Sequence, residues 1–245
     1  RTELENYKIA VLISTFNRVN KTIKCLDHLF NARLPENCKI EVFISDSSSP
    51  DNTYRILKDK YPMITLESVD QNIFWNQGMI NSWELAKKTN PNFYLWLNDD
   101  TFISENAIEL VLNDYFNKTS NSIFVGSTFF GGSCSYGGRL NLQQKPLTPS
   151  GKPKRIKYMN GNFVLVPNCV FQLIGGLNKS YSHSLGDIDY GLTAMKNEVK
   201  LFIVSNDAPP VIVIAPEILA AEAVICPLDF SIKLSLVEFI CVLAT

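Results

Sequence analysis

The sequence predicts an α/β fold with a largely parallel central sheet flanked by helices. Three observations predict it. Short apolar runs of strand length alternate with segments of helical period from residue 8 to about residue 128. The runs are apolar on consecutive residues, as strands buried on both faces require. Polar segments follow the runs at Thr15–Arg18, Asp46–Ser49, Asp70–Asn76 and Asn98–Thr101, where open α/β sheets bind their ligands.

Lys8–Ser14 (KIAVLIS) reads as the first buried strand. Asn17 is placed to cap the helix that follows, in which Val19, Ile23, Leu26, Leu29 and Phe30 recur at helical spacing. Lys39–Ser45 is the second strand. Asp46–Asn52 is a turn-rich loop, with Asp51 placed to cap a helix at Tyr54–Lys60. Met63–Ser68 is a third strand, and Trp75 and Asn76 fall in a polar loop before a helix at Gly78–Lys88. Phe93–Leu97 is a fourth strand, Glu105–Phe116 a helix and Ser122–Ser127 a fifth strand. Residues 129–158 are rich in Gly, Pro and Lys and form a loop or hairpin excursion of a length that often carries function. Phe163–Pro167 is strand-like, Val170–Ile174 a short helix stopped by two glycines, Asp187–Glu198 an amphipathic helix and Leu201–Val204 a last strand.

Composition narrows the function classes. The 245 residues carry a formal net charge of −1, which argues against a nucleic-acid binder. Residues 206–245 hold one lysine, no arginine and five carboxylates, so the chain divides into a main domain, 1–205, and an acidic, apolar tail, 206–245. Six scattered cysteines without a CxxC pair, and only two histidines, point to reduced thiols and not to a zinc site. No signal peptide opens the sequence and no run is long and apolar enough to span a membrane. The expected location is therefore cytoplasmic. A membrane-surface contact by the tail, at the inner face, stays open.

Asn98-Asp99-Asp100 follows the most aromatic strand. Two carboxylates at the mouth of a buried strand are costly unless paired, and a divalent cation carrying a diphosphate would pair them. Read locally, they are turn and cap residues. Asp187 and Asp189, after Gly186, either complement a helix dipole or supply a general base at a helix N-terminus. Asp46 is either an Asx-turn residue or an acceptor for a nucleobase N–H. Trp75 is a core anchor or a ligand contact. Lys152, Lys154, Arg155 and Lys157 form a basic run, either solvated or facing an anionic head group or diphosphate. The sequence has no GxGxxG after its first strand, no GxxxxGK[ST] and no GxSxG.

In order along the chain, Ile13–Arg18 (ISTFNR), Asp46–Thr53 (DSSSPDNT), Asn72–Met79 (NIFWNQGM), Leu97–Thr101 (LNDDT), Asn160–Pro167 (NGNFVLVP), Gly175–Leu177 and Gly186–Leu192 (GDIDYGL) resemble the family 2 glycosyltransferases of the GT-A fold. The Trp-Asn-x-Gly-Met and Gly-Asp-x-Asp-Tyr-Gly-Leu segments are similar to a bacterial branch. The resemblance implies inverting transfer of a sugar from a nucleotide diphosphate sugar to a glycan or lipid-linked acceptor in cell-envelope polysaccharide synthesis. It implies Mg²⁺ or Mn²⁺ held by Asp100 with Asp99, and a nucleotide pocket of Thr15, Asn17, Arg18 and Asp46. Asn72, Trp75, Asn76, Gly78, Asn98 and Asp99 would lie by the donor, Asp187 would be the base and Asp189 a supporting acid. The sequence departs from that pattern at Asn98, at Thr193 where an arginine is usual, and in the absence of histidine from residues 206–245. A GT-A domain that binds nucleotide or glycan without turnover is the competing reading.

Overall fold

A computed structural model describes residues 6–118 and 121–206, and the backbone of 212–214. Its main sheet has eight strands in the order β3-β2-β1-β4-β10-β6-β11-β9. β1 (Tyr7–Thr15), β2 (Cys38–Asp46), β3 (Thr65–Ser68) and β4 (Phe93–Leu97) are parallel to one another. β6 (Ser122–Val125) and β11 (Lys200–Ile203) are a second parallel pair. Between the two sets lies β10 (Phe163–Pro167), antiparallel to β4 on one side and to β6 on the other. All five of its residues are buried, as a strand with neighbours on both edges and helices on both faces requires. β9 (Lys154–Arg155) closes the edge beside β11.

The helices α1 (Val19–Phe30), α2 (Thr53–Lys60), α3 (Trp75–Ala86), α4 (Ala107–Phe116), α5 (Asn168–Ile174) and α6 (Gly186–Lys196) complete the α/β arrangement that the sequence predicts. α3 lies close on β1 because residue 78 is glycine: a Cβ there would stand 2.1 Å from Ser14 Oγ. Beneath the carboxyl end of the sheet, the three tryptophans form an edge-to-face chain. Trp75 lies 6.3 Å from Trp96, and Trp96 lies 5.6 Å from Trp83, between ring centroids. Tyr190 of α6 packs 5.2 Å from Trp96 and so ties α6 to this core.

A second sheet is not expected from the sequence. β5 (Thr101–Ile103), β7 (Thr128–Phe130), β8 (Ser133–Tyr136) and the backbone of β12 (Ile212–Ile214) pair in the order β5-β12-β7-β8. Strands of three or four residues leave little periodic signal. β12 also means that strand pairing continues past the composition boundary at residue 205. The rest of the tail, 207–211 and 215–245, lies outside the described residues.

Two local expectations are corrected. α3 begins at Trp75, three residues before the predicted start, so Trp75 and Asn76 belong to its first turn and not to a loop. Asn17 does not cap α1. It takes a left-handed conformation (φ 52°) that asparagine tolerates, and its N–H donates to Ser49 Oγ at 2.8 Å. The orphan N–H of Val19 donates instead to Asp51 Oδ2 at 2.9 Å, and Asp51 Oδ1 accepts the Thr53 N–H at 3.2 Å. One carboxylate thus serves the starts of both α1 and α2. The four described cysteines, Cys25, Cys38, Cys134 and Cys169, are free thiols. Among the described residues, no helix is long and apolar enough to cross a membrane.

Candidate active site

The carboxyl ends of β1, β2 and β4 carry the first group of polar residues. Thr15 ends β1, is buried, and donates from Oγ1 to Asp99 Oδ2 at 2.7 Å. Thr22, one turn into α1, adds a second hydroxyl 3.3 Å from the same oxygen. Asp46 ends β2 and is 1% exposed. Its Oδ1 accepts from Ser49 Oγ and its Oδ2 from the Ser49 N–H at 3.2 Å. That is an Asx-type turn, and burial pushes the Asp46 carboxyl above its ordinary pKa.

Asn98, Asp99 and Asp100 leave β4 in three directions. The Asn98 side chain accepts the Trp75 Nε1–H at 2.8 Å. Asp99 is buried, with its carboxyl pushed up to about 6 by burial against the opposing charge of Arg18. Arg18 forks over both acids: Nη1 donates to Asp100 Oδ2 at 2.8 Å, and Nη2 lies 2.8 Å from Asp99 Oδ1. The second contact is an ion pair without an aligned N–H, since Asp99 Oδ1 has no hydrogen-bond donor. Two carboxylates therefore share one guanidinium, and with both ionised one negative charge is left over. That residual charge and the unfilled oxygen fit a divalent cation. Among the described residues, no group of three or more His, Cys, Asp or Glu side chains gathers to hold a metal. A hard cation here would take one or two carboxylates, with Asp100 the less enclosed of the pair, and fill its shell with phosphate oxygens and water.

The second group surrounds the start of α6. Asp187 Oδ2 accepts the Gly161 N–H and Oδ1 the Ile188 N–H, each at 2.9 Å. The Asn160 side chain favours the ionised form of the same carboxylate. Burial raises the Asp187 carboxyl above its ordinary pKa, and the backbone N–H groups of Ile188 and Gly161, its own N–H and the Asn160 side chain pull against it. Asp189, two residues further, makes longer contacts, with Asn178 Nδ2 at 3.4 Å and the Tyr181 hydroxyl at 3.5 Å.

Trp75 joins the two groups. Its Nε1 holds Asn98, while the far edge of its ring lies where a Cβ on Gly161 would come within 2.6 Å. The same Cβ would be 3.4 Å from that of Asp187. Asn76 and Gln77, the next residues of α3, reach the other way. Asn76 Nδ2 donates to the carbonyls of Asn178 and Tyr181 at 3.0 and 2.8 Å, and Gln77 Nε2 to those of Lys179 and Tyr181, both at 2.7 Å. Asn76 is buried and its amide nitrogen is engaged with the loop that leads into α6. Gly78 is likewise buried against Ser14, whereas Asn72 is exposed in an Asx turn with Asp70. Of the residues placed by the donor, Trp75 and Asn98 meet, Asn76 and Gly78 sit in the scaffold beneath, and Asn72 stands apart.

Gly186 is needed because a Cβ there would lie 1.9 Å from Asn76 Oδ1. Leu185 before it is held in the left-handed region (φ 73°), which turns the chain into α6. Gly186→Ala is expected to destabilise the protein by about 2 kcal/mol, because the two hydrogen bonds of Asn76 leave its side chain no free rotamer. Thermal unfolding would read this, and an unchanged midpoint would count against it.

Thr22 and Tyr181 lie outside the segments singled out in the sequence, whereas Asn160, Gln77 and Arg139 lie inside them without an assigned role. Arg139 is half-buried, with Nη1 donating to Asn160 Oδ1 at 2.5 Å. Thr22 was recoverable as a polar residue on the otherwise apolar face of α1. Tyr181 and Arg139 reach the site through tertiary pairing. Grooves of about 860 and 690 Å³ elsewhere, lined by Lys24 and Phe102 and by Arg33 and Phe116 among others, contain none of these side chains. Convergent polar groups, and not cavity volume, mark the site.

Comparisons with known proteins bear on the fold and the family. No curated protein matches the chain. GalNAc-T7, solved with UDP, GalNAc and Mn²⁺, is similar with a TM-score of 0.65 and 14% identity, over 88% of this chain and 45% of that one. The chain thus spans less than half the length of that protein. TarS 1–349 of S. aureus is similar with a TM-score of 0.58 and 14% identity, over 92% of this chain and 68% of that one. Its complex with UDP-GlcNAc gives 0.61 and 14%, over 86% and 58%. At such identities the likeness shows the fold, that of the GT-A glycosyltransferases. The sequence model of glycosyl transferase family 2 matches residues 10–183, which takes in Arg18, Asp46, Trp75, Asn98–Asp100 and Asn160 and ends just before α6. With the match covering well over half of the chain, the protein belongs to glycosyl transferase family 2.

Proposed function

We propose that the protein is an inverting, metal-dependent glycosyltransferase that moves a sugar from a nucleotide diphosphate sugar to a hydroxyl of a glycan or lipid-linked acceptor. One observation carries the reading. A carboxylate pair with residual negative charge and a separate, raised carboxylate stand on either side of one indole, that of Trp75. Transfer with inversion needs that separation, with leaving-group stabilisation on one side of the reacting carbon and a base on the other. UDP with Mn²⁺ in GalNAc-T7 and UDP-GlcNAc in TarS support a UDP-sugar as donor.

In this reading Asp187 accepts the proton of the attacking hydroxyl, oriented by the N–H groups of Gly161 and Ile188. Asp189 supports the loop through Tyr181 and Asn178. Asp46 accepts from the base, and Thr15 keeps Asp99 in place beneath the nucleotide. Arg18 turns from the carboxylates to the diphosphate. Asp100, with Asp99, would hold the divalent cation, which would supply positive charge against the leaving diphosphate. The acceptor assignment, with action in the cytoplasm at the inner face of a membrane and a role in cell-envelope glycan synthesis, belongs to the same proposal.

Calorimetric titration of UDP, dTDP and GDP, with and without Mn²⁺, tests the donor site. Metal-enhanced binding of one nucleotide is the expected result, and absence of any binding would overturn the proposal. A domain that binds nucleotide without turnover is the second reading. It is favoured by the closure of Arg18 over both carboxylates, and metal-dependent turnover separates the two.

A further inference from the structure

We propose that Arg139 is a positioning residue for Asp187 that acts through Asn160, fixing which end of the Asn160 amide faces the carboxylate. The inference rests on the reading of Asp187 as the base. An asparagine amide has an acceptor end and a donor end of nearly equal size, so packing alone does not orient it. Here Arg139 Nη1 donates to Asn160 Oδ1 at 2.5 Å. That contact leaves the Asn160 NH₂ as the free end of the amide, on the side of Asp187, whose carboxylate accepts the adjoining Gly161 N–H at 2.9 Å and is favoured in its ionised form by the Asn160 side chain. With the amide reversed, a carbonyl oxygen would face the carboxylate, a repulsive contact in place of an attractive one.

The surrounding backbone is built to hold this orientation. Arg139 N–H donates to the Tyr158 carbonyl at 2.8 Å, and Tyr158 N–H returns to the Arg139 carbonyl at 3.0 Å. Asn160 N–H donates to the Gly137 carbonyl at 3.2 Å. The two side chains therefore project from adjoining, hydrogen-bonded segments. Gly138 seats the first segment on the core, since a Cβ there would lie 2.4 Å from Ile203 Cγ2 and 2.5 Å from Ile156 Cγ2. Arg139 Nε donates to the Gln144 carbonyl at 3.1 Å, which fixes the plane of the guanidinium. No carboxylate among the described residues lies within ion-pair distance of Arg139, so its charge is not neutralised by a close acid. It is near enough to Asp187 for the carboxylate to favour its charged form. The other titratable groups around the pair are Asp189 and Tyr181 beside α6, and Cys134 and Tyr136 beside Arg139.

The excursion thereby acquires a task. It brings a guanidinium to the back of the base, where the cation and the amide both favour the ionised carboxylate and oppose the effect of burial. Removing either raises the Asp187 pKa further, and the protonated acid can no longer accept a proton.

The test is carboxyl ¹³C NMR titration of the full chain, with Asp187 assigned by Asp187→Asn. The variants are Arg139→Met, Asn160→Ala, the double variant and Arg139→Lys. The Asp187 midpoint is expected to rise by about half a pH unit or more in each of the first two. The Arg139→Met shift should be at least halved in the Asn160→Ala background, and Arg139→Lys should stay closer to wild type. An unmoved midpoint in Arg139→Met, or full additivity in the double variant, would overturn the proposal. So would a tenfold loss of nucleotide affinity in Arg139→Met with the midpoint unmoved, since Arg139 would then be a donor ligand. If Arg139→Met does not fold, Arg139→Lys and Asn160→Ala carry the test. In turnover, the acid limb of kcat should move up with little change in donor KM. A wild type inactive with every donor would remove the base assignment, while the NMR midpoint would still judge the positioning.

Discussion

Asp187→Asn is expected to lower sugar transfer by about a thousandfold, within the range a positioned general base contributes, while nucleotide affinity stays within about twofold. The variant keeps the size of the side chain and removes the charge. It also sets an NH₂ group against one of the two backbone donors, Gly161 N–H or Ile188 N–H, so a modest fall in unfolding temperature should accompany the kinetic loss. The pH dependence has a definite sign. Burial raises the folded-state pKa of Asp187 above 3.8, so the acid limb of kcat should lie above that of an exposed carboxylate, with activity lost as pH falls through it. The same group makes the native state bind its proton more tightly than the unfolded chain. Its contribution to stability is thus most favourable at low pH and declines as pH rises from about 4 through the folded-state pKa. Turnover and calorimetry on the same preparation would decide the matter, and full activity in Asp187→Asn would remove it as base.

Asp100→Asn should have the second largest effect, on metal-linked nucleotide binding. In the structure Asp100 Oδ2 is occupied by Arg18 Nη1, so a cation reaching that oxygen must compete with a guanidinium. A diphosphate would resolve the competition by offering Arg18 another anionic partner. Mn²⁺ should therefore strengthen nucleotide binding in the wild type by tenfold or more, an effect on the order of 1.4 kcal/mol. Asp100→Asn should bind nucleotide equally with and without Mn²⁺. Arg18 would keep its contact with Asp99, which Thr15 and Thr22 hold in place, so the fold should survive. An undiminished Mn²⁺ effect in the variant would move the cation away from Asp100.

Much of the fold was legible because its strands are buried on both faces. Phe93–Leu97 and Phe163–Pro167 read as uninterrupted apolar runs, and the structure places strands at those limits. The antiparallel setting of the second was not legible, because a fully apolar run carries no sign of direction. The start of α3 was missed for a related reason. Trp75 and Asn76 look like loop residues beside Asn72, yet their side chains are used sideways, on Asn98 and on the 178–181 loop. Motif order brought Asp99, Asp100 and Asp187 into view as separate chemistries. The contacts that organise them, Arg18 across both acids and Arg139 through Asn160, span 82 and 21 residues of sequence. No local pattern encodes such pairings.

The edge-to-face chain of Trp75, Trp96 and Trp83 has an optical consequence. These are all the tryptophans of the protein, and neighbours stand 6.3 and 5.6 Å apart. At such separations excitation migrates among indoles faster than it is emitted. The intrinsic fluorescence is therefore one shared signal, and Trp75, partly exposed at the end of the chain, is its outlet. A ligand that quenches Trp75 would dim the emission of all three, so that occupancy of the cleft could be followed in the unlabelled protein.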